Sequence, residues 1–353
     1  MFDRDSTSQG DRPPANFLPG FEAVQQILIW HQGALGDLLL AGPALAALSR
    51  YYAGARITGL GHPERWGLYS RNLPLDGVWD SGEARWVHLF SEGDMPTAIR
   101  ERLARFQLAL VFSPHPQAIL QARLHQAGIP AVHWLPSFPE AGAESVSALQ
   151  ARHLAGLGLP YVPGPVKLEM RLDEELPELP GPGPWLAVAP GSGQLRKNWP
   201  LANYYEISRA LGWKYGLQVV WLAGPGEGEM LPYLGALAEA QGQLLLAQRP
   251  LDRVARVLSR CRLYVGNDSG LTHLAAAVGE PAVLALFGPT DPRVWAPLGP
   301  QVRTLTGPCP QAPCAVGRTI ACPESHCLEA LAPETVLAAA AQVLSTPGKI
   351  EGG

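Results

Sequence analysis

This chain of 353 residues has little lysine, little charge of either sign and no long apolar run. None of its apolar stretches approaches the ~20 residues that a bilayer-spanning helix needs, which argues against a helical membrane protein. The first twenty residues are polar and carry Pro and Gly, without the basic start and apolar stretch of a secretory leader. A cytoplasmic protein is expected, with peripheral association at the inner face of the cytoplasmic membrane left open. A basic surplus is also missing. The net charge is −4 and only 16% of residues are charged, so no nucleic-acid partner is expected. Cysteine is sparse and unevenly placed. Cys261 sits in an apolar segment and reads as a small buried hydrophobe. Cys309, Cys314, Cys322 and Cys327 form a C-x4-C-x7-C-x4-C cluster that lacks the tight C-x2-C turn of a zinc knuckle. Metal-bound, disulfide-bonded and reduced states of the four all remain open.

The chain does have enough apolar content (47%) and length for two domains with separate cores. Residues 27–30 read as a strand, 37–52 as a helix and 56–60 as a second strand. This βαβ unit implies a parallel sheet. Strands at 107–112 and 131–135 follow, with a helix at 116–127. Residues 171–184 are charged, then rich in Pro and Gly, and serve as a linker. A second α/β series succeeds it, with strands at 185–189, 218–223, 263–265 and 282–287 and helices at 201–215, 228–241, 253–260 and 271–278. An Ala-rich helix at 333–344 is a candidate to cross back to the first domain. The fold expected is α/β: two Rossmann-like domains facing a cleft. A disordered tail (1–22), a first domain (23–170), the linker (171–184), a second domain (185–345) and a second disordered tail (346–353) divide the chain.

Two glycine-punctuated loops stand at equivalent places in the two halves. His31-Gln32-Gly33-Ala34-Leu35-Gly36-Asp37 joins the first strand to its helix, and Gly266-Asn267-Asp268-Ser269-Gly270 joins a strand to the helix at 271–278. A strand, a Gly-rich turn and a helix N-terminus make an anion site, because unpaired N–H groups and the helix dipole both favour negative charge. The first loop is not a G-x-G-x-x-G. The second strand ends in Gly59-Leu60-Gly61-His62 rather than in an acid for a ribose, so a nicotinamide cofactor is not expected. Asp37 reads either as a helix cap or as a general base aimed into the cleft. Gly191-Ser192-Gly193 is followed by Arg196-Lys197, and a lysine there is notable because the chain has only four. Small residues, a hydroxyl and an ammonium suit a phosphate, with a solvated basic pair before a Pro-started helix as the alternative. Asp268 reads as a helix cap, a partner for Lys197 or a ligand for a hydroxyl. His273, inside its helix, reads first as a structural histidine and second as a catalytic one, and Thr290-Asp291-Pro292 reads first as a turn. No D-x-D stands at a strand end to hold a metal–diphosphate complex.

Taken in order, ILIWHQGALGDLLLAGPAL, APGSG-x4-KNWP, GNDSGLTHLAAAVGEP and LFGPTDP resemble family nine of the GT-B glycosyltransferases, the ADP-heptose:lipopolysaccharide heptosyltransferases and their relatives. The resemblance covers nearly the whole folded chain, and its GNDSG block is the most specific part. It implies an inverting, metal-independent transferase with no cofactor. A sugar, heptose favoured, would move from a nucleotide diphosphate donor, ADP-heptose favoured, to a lipopolysaccharide-like or other glycan or lipid-linked acceptor. Asp37 would be the catalytic base. Gly36, Ser192, Gly193, Lys197, Asp268, Ser269 and Gly270 would bind the donor, with His273 beside them and an acid near Glu227 or Glu229 on its ribose. Acceptor recognition would fall to loops such as 62–71 or 113–117, and the cysteine cluster would staple a segment remote from the chemistry. Two positions depart from the family pattern. His31 stands where members usually carry Lys or Arg, and Gly193 stands where a second donor-loop hydroxyl is usual. A sugar-nucleotide epimerase or hydrolase and a catalytically degenerate binding module are the alternatives.

Overall fold

The computed structural model describes residues 17–140, 144–170, 176, 178–316, 319–320, 322 and 326–345. Most of the expected first tail, the whole of the second, and positions 171–175 and 177 of the expected linker lie outside the described residues.

The first domain is a parallel sheet of β1 (Gln26–His31), β2 (Arg56–Gly61), β3 (Leu75–Asp80), β4 (Leu108–Ser113) and β5 (Ala131–Pro136), in the order β3-β2-β1-β4-β5. The second is also parallel: β6 (Trp185–Ala189), β7 (Gln218–Ala223), β8 (Leu244–Ala247), β9 (Cys261–Asn267), β10 (Ala282–Phe287) and β11 (Val302–Thr306), in the order β11-β10-β9-β6-β7-β8. The central strands are apolar along their whole length because helices cover both faces of a parallel sheet. Every residue of Trp-Leu-Ala-Val-Ala in β6 and of Ala-Val-Leu-Ala-Leu-Phe in β10 is buried. Chain order reverses between β1 and β4 in one sheet and between β6 and β9 in the other. Open α/β sheets bind ligands at the carboxyl ends of strands beside such a reversal. The loops after β1, β6 and β9 are the three that the sequence singles out.

Two local departures from the sequence reading have plain causes. The single helix expected over 37–52 is two, Leu35–Leu40 and Gly42–Tyr51. Pro43 has no N–H to give the Leu39 carbonyl, so the helix cannot run through. The terminal helix Pro333–Ser345 does not cross back. Val336, Ala340 and Leu344 lie in the second domain's own cluster with Tyr204, Ile207 and Leu211 of the helix Leu201–Tyr215, and Arg262 donates to the Leu344 carbonyl at 2.7 Å. Its apolar face is complementary to that helix, which leaves nothing to drive it elsewhere.

The two domains meet over a packed seam. One contiguous apolar cluster takes in Ile27, Ile29 and Leu45 of the first domain and Ala187, Tyr264, Leu274 and Phe287 of the second. An extended segment crosses the same seam. The Leu168 N–H donates to the Ala277 carbonyl at 2.8 Å, and the Glu169 N–H donates to Asn72 Oδ1 at 3.0 Å. From the other side, the Leu251 N–H donates to Glu64 Oε1 at 2.9 Å.

Candidate active site

The helices Leu35–Leu40 and Gly270–Val278 bring their N-terminal turns together across the seam. The approach needs glycine on both sides. A Cβ on Gly36 would lie 2.9 Å from His273 Cδ2, and one on Gly270 would lie 3.0 Å from Leu35 Cβ. A cavity of about 340 Å³ opens beside this contact. It is lined by Gly36, Asp37, Gly193, Lys197, the Asp268-Ser269-Gly270 turn and His273. Eight of the residues singled out from the sequence therefore share one wall although they come from three loops.

Asp37 lies in the first turn of its helix and is almost fully buried. Its Oδ2 accepts the Ala34 N–H at 2.8 Å, so the capping reading holds. That bond does not exhaust the carboxylate, which offers about four lone-pair sites. Arg65 steadies the same loop from outside by donating to the Gly33 carbonyl at 2.7 Å. His31 closes the space beneath. It is 2% exposed, and neither ring nitrogen has a hydrogen-bond partner among the described residues. Burial pushes its pKa down to about 4, although the Asp37 charge pulls the other way, so the imidazole is neutral at pH 7.

On the other side, Lys197 Nζ donates to Asp268 Oδ2 at 2.7 Å, and the Thr290 hydroxyl donates to the same oxygen at 2.7 Å. An ammonium has three N–H donors, so one bond leaves it able to serve a ligand. His273 stands 4.0 Å from Asp268 Oδ1, and burial lowers its pKa against the opposing pull of Asp268 and Asp37. The cavity thus presents one ammonium and the N-terminal amides of the helix Gly270–Val278 together. This is the chemistry of an anion site.

Ser192 and Glu227 are placed differently from the rest. The Ser192 hydroxyl faces its own loop, within 2.7 Å of the Gln194 carbonyl and 2.6 Å of Asn198 Oδ1, and it does not line the cavity. Glu227 caps a short 3-10 turn by accepting the Gly224 N–H at 2.6 Å, and burial raises its pKa. It leans against Gly191, where any Cβ would collide with its side chain. Gly191 is glycine for Glu227. Gly193 is not constrained in this way, since a Cβ there meets nothing within 4 Å.

Several contributors escaped the sequence reading. Asn267 is fully buried and ties the loops after β6 and β9 together. Its Nδ2 donates to the Pro190 carbonyl at 2.7 Å, while Oδ1 accepts the Trp199 N–H at 2.9 Å and the Tyr204 hydroxyl at 2.8 Å. Its position between two recognised residues was the available signal. Trp295 and Ile320 also line the cavity. Ile320 belongs to a small hairpin of β12 (Ala315–Val316) and β13 (Thr319–Ile320) inside the cysteine-bearing segment. Arg196 donates to the Ile320 carbonyl at 3.1 Å and the Cys322 carbonyl at 2.9 Å, so that segment forms part of the cavity wall and is not remote from it. Burial is the main cause of the raised pKa of Cys314 and of Cys327, followed by Cys322 beside the first and Cys309 beside the second. Among the described residues no group of three or more His, Cys, Asp or Glu is arranged to hold a metal ion. Nor is any described helix long and apolar enough to cross a membrane.

A family model, glycosyltransferase family 9 (heptosyltransferase), matches residues 144–325, just over half of the chain. The chain belongs to this family. Among curated relatives, lipopolysaccharide heptosyltransferase 2 of Escherichia coli strain K12 is 34% identical over 113 residues, which is 31% of this chain and 32% of that protein. Lipopolysaccharide heptosyltransferase 1 of Pseudomonas aeruginosa is 33% identical over 144 residues, 40% of this chain and 39% of the other. These sequence matches span only about a third of the relatives' length. Solved structures extend the likeness of fold over almost the whole chain. A family 9 glycosyl transferase from Veillonella parvula superposes with a TM-score of 0.69 at 18% identity, covering 91% of this chain and 97% of that one. The E. coli ADP-heptose lipopolysaccharide heptosyltransferase II gives 0.65 at 23% identity, covering 90% and 98%. The architecture is accordingly GT-B, two Rossmann-like α/β domains facing one cleft.

Proposed function

We propose that this family 9 protein transfers a sugar, heptose in the first instance, from a nucleotide diphosphate donor to a glycan or lipid-linked acceptor. The observation that carries the reading is the place of Asp37. It lines the cavity that holds Lys197 and the helix N-terminus, and it also lines a second cavity of about 280 Å³ on the first-domain side. A carboxylate between two cavities is where a base must stand to serve a group on one side that attacks a group on the other.

In the proposed step, an acceptor hydroxyl oxygen attacks the donor's anomeric carbon. Its proton passes to an Asp37 carboxylate oxygen, and the bond from that carbon to the diphosphate breaks. A single displacement of this kind inverts the anomeric configuration. The charge growing on the leaving diphosphate falls to Lys197 and the amides at Ser269 and Gly270, which can supply the neutralisation without a metal. His31 and His273, both kept neutral by burial, add no second base of ordinary strength. The E. coli relative is an ADP-heptose enzyme, so ADP-heptose is the donor to test first. A lipid-linked acceptor would bring the protein to the inner face of the cytoplasmic membrane peripherally.

The test is transfer from ADP-heptose to a lipopolysaccharide-core acceptor in the presence of EDTA, with the product's anomeric configuration read by NMR. Asp37→Asn is expected to lose transfer by a factor of about 10² or more while keeping ADP binding. Rapid turnover of donor without acceptor would favour an epimerase or hydrolase, and full activity of the variant would remove Asp37 as the base.

A further inference from the structure

A third cavity lies at the far end of the second sheet from Lys197. It holds about 390 Å³ and sits at the amino ends of β6, β7 and β8, against the last turns of the helix Leu201–Tyr215. The cavity beside Lys197 is at the carboxyl ends of that sheet, and the five residues of β6, at about 3.3 Å each, stand between the two. Among the described residues no carboxylate, imidazole or thiol lines this third space, so it is a place to bind and not to react. Its wall has one exposed indole, one guanidinium and three amides. Trp213 is 90% exposed, and Arg209 stands one helical turn before it on the same face. The Arg209 guanidinium lies 5.9 Å from the Tyr205 ring centre and pairs with no carboxylate among the described residues. Gln218, Gln241 and Gln243 supply the amides. Gln243 Oε1 accepts the Trp221 indole N–H at 2.6 Å, which leaves its NH₂ to donate. Gln241 Nε2 donates to the Tyr205 hydroxyl at 3.2 Å, which leaves its Oε1 to accept. Trp185 completes the wall. It is 2% exposed, and its buried Nε1 has no hydrogen-bond partner among the described residues.

We infer that this cavity is a second saccharide-binding site, separate from the reaction centre, and that it takes a sugar ring carrying one carboxylate or phosphate. A pyranose has an apolar C–H face that an exposed indole can cover, and a rim of hydroxyls that each donate and accept. Amides presenting both a donor and an acceptor around one aromatic face match that rim. Arg209, the single charge in the wall, fits a carboxylate or phosphate with its planar fork. A buried N–H without an acceptor is costly, and a sugar oxygen would satisfy the Trp185 indole. The volume falls within the ~300–1,000 Å³ usual for small-molecule sites. Because the two cavities are at opposite ends of one sheet, a sugar here and a nucleotide beside Lys197 can be held together. The site tethers glycan to the protein without presenting it for attack.

Indole ¹⁵N–¹H NMR of the full chain saturated with ADP tests this, with signals assigned from Trp213→Phe and Trp185→Phe. The probes are methyl glucuronide, methyl galacturonide and methyl glucoside 6-phosphate, the neutral methyl glucoside and galactoside, inorganic phosphate and AMP. At least one acidic glycoside is expected to move both signals, with its neutral counterpart, phosphate and AMP each about tenfold weaker. Trp213→Ala should abolish the response at Trp185. Arg209→Gln should bring the acidic glycoside down to the affinity of the neutral one. Both positions are exposed, so the melting temperature and the ADP-induced shift should stay as in the parent. The inference is overturned if no glycoside moves both signals, or if Trp213→Ala binds as the parent does. It is equally overturned if the neutral glycosides, phosphate or AMP bind as tightly as the acidic sugars.

Discussion

His31 is buried beside Asp37 and responds to pH in a way a solution measurement can detect. Burial lowers His31 from the ordinary 6.5 to about 4. Between those values the unfolded chain holds a proton that the folded chain does not, so protonation favours unfolding. Stability is fully present above about pH 6.5 and falls as the pH drops toward 4, by about 3 kcal/mol in all. His273 is shifted in the same direction by the same cause and adds to the slope. Thermal melts across pH 4 to 6.5 should show a shallower decline for His31→Gln than for the parent, and equal slopes would mean that the buried neutral imidazole is misassigned. The two glycines that line the same cavity should part company in a second measurement. Gly36→Ala drives a methyl to within 2.9 Å of a buried His273 ring, an overpacking expected to cost about 1–3 kcal/mol and to loosen ADP binding with it. Gly193→Ser meets open space. It should leave the melting temperature within about 1 °C and tighten ADP severalfold if its hydroxyl reaches a phosphate oxygen, a bond worth about 1 kcal/mol. A destabilised Gly193→Ser or a silent Gly36→Ala would contradict the steric reading.

At the scale of elements, legibility followed burial. Strands β6, β7 and β10 and the helix Leu201–Tyr215 were readable to the residue, because an apolar run bounded by Pro or Gly has few ways to fold. The edge strands β3, β8 and β11 were not foreseen. Leu-Asp-Gly-Val-Trp-Asp and Val-Arg-Thr-Leu-Thr are half exposed, and neither period nor composition separates them from loop. Motif spacing named most of the cavity wall because a Gly-rich turn before a helix has one evident use. It gave no orientation, so the inward turn of the Ser192 hydroxyl and the bracing role of Asn267 needed three-dimensional neighbours. The hairpin β12–β13 was equally invisible, since two-residue strands carry no pattern. Its tie to Arg196 yields a prediction at this scale. Arg196→Ala removes two hydrogen bonds at an exposed site, so global stability should fall by less than about 1 kcal/mol. The hairpin holding Ile320 against the cavity should nevertheless exchange its amides faster, and ADP should bind about threefold to tenfold more weakly. Unchanged exchange and affinity in the variant would mean that the hairpin holds its place by other contacts.

For the whole molecule, the seam decides how the two domains behave together. GT-B architecture suggests two bodies on a hinge, yet one apolar cluster runs through both sheets and hydrogen bonds from Leu168 and Leu251 stitch its two sides. Domains that share a core in this way should unfold as one unit, so calorimetry is expected to give a single transition whose van't Hoff and calorimetric enthalpies agree. Because the Lys197 cavity lies on that seam, a ligand there should displace the entire transition. At a hundred times its dissociation constant, ADP should add about 2.7 kcal/mol of stability. Lys197→Ala removes that shift, but it also takes the ammonium away from a buried carboxylate and leaves the Thr290 hydroxyl on Asp268 Oδ2, so the variant is expected to melt lower even without ligand. The double variant Lys197→Ala/Asp268→Asn separates the two effects. Neutralising the stranded carboxylate should restore much of the lost stability while ADP still produces no shift, because the ammonium that met the diphosphate is gone. Recovery of the ADP shift in the double variant would show that Lys197 serves only to neutralise Asp268, and two resolved transitions in the parent would show that the seam does not couple the domains.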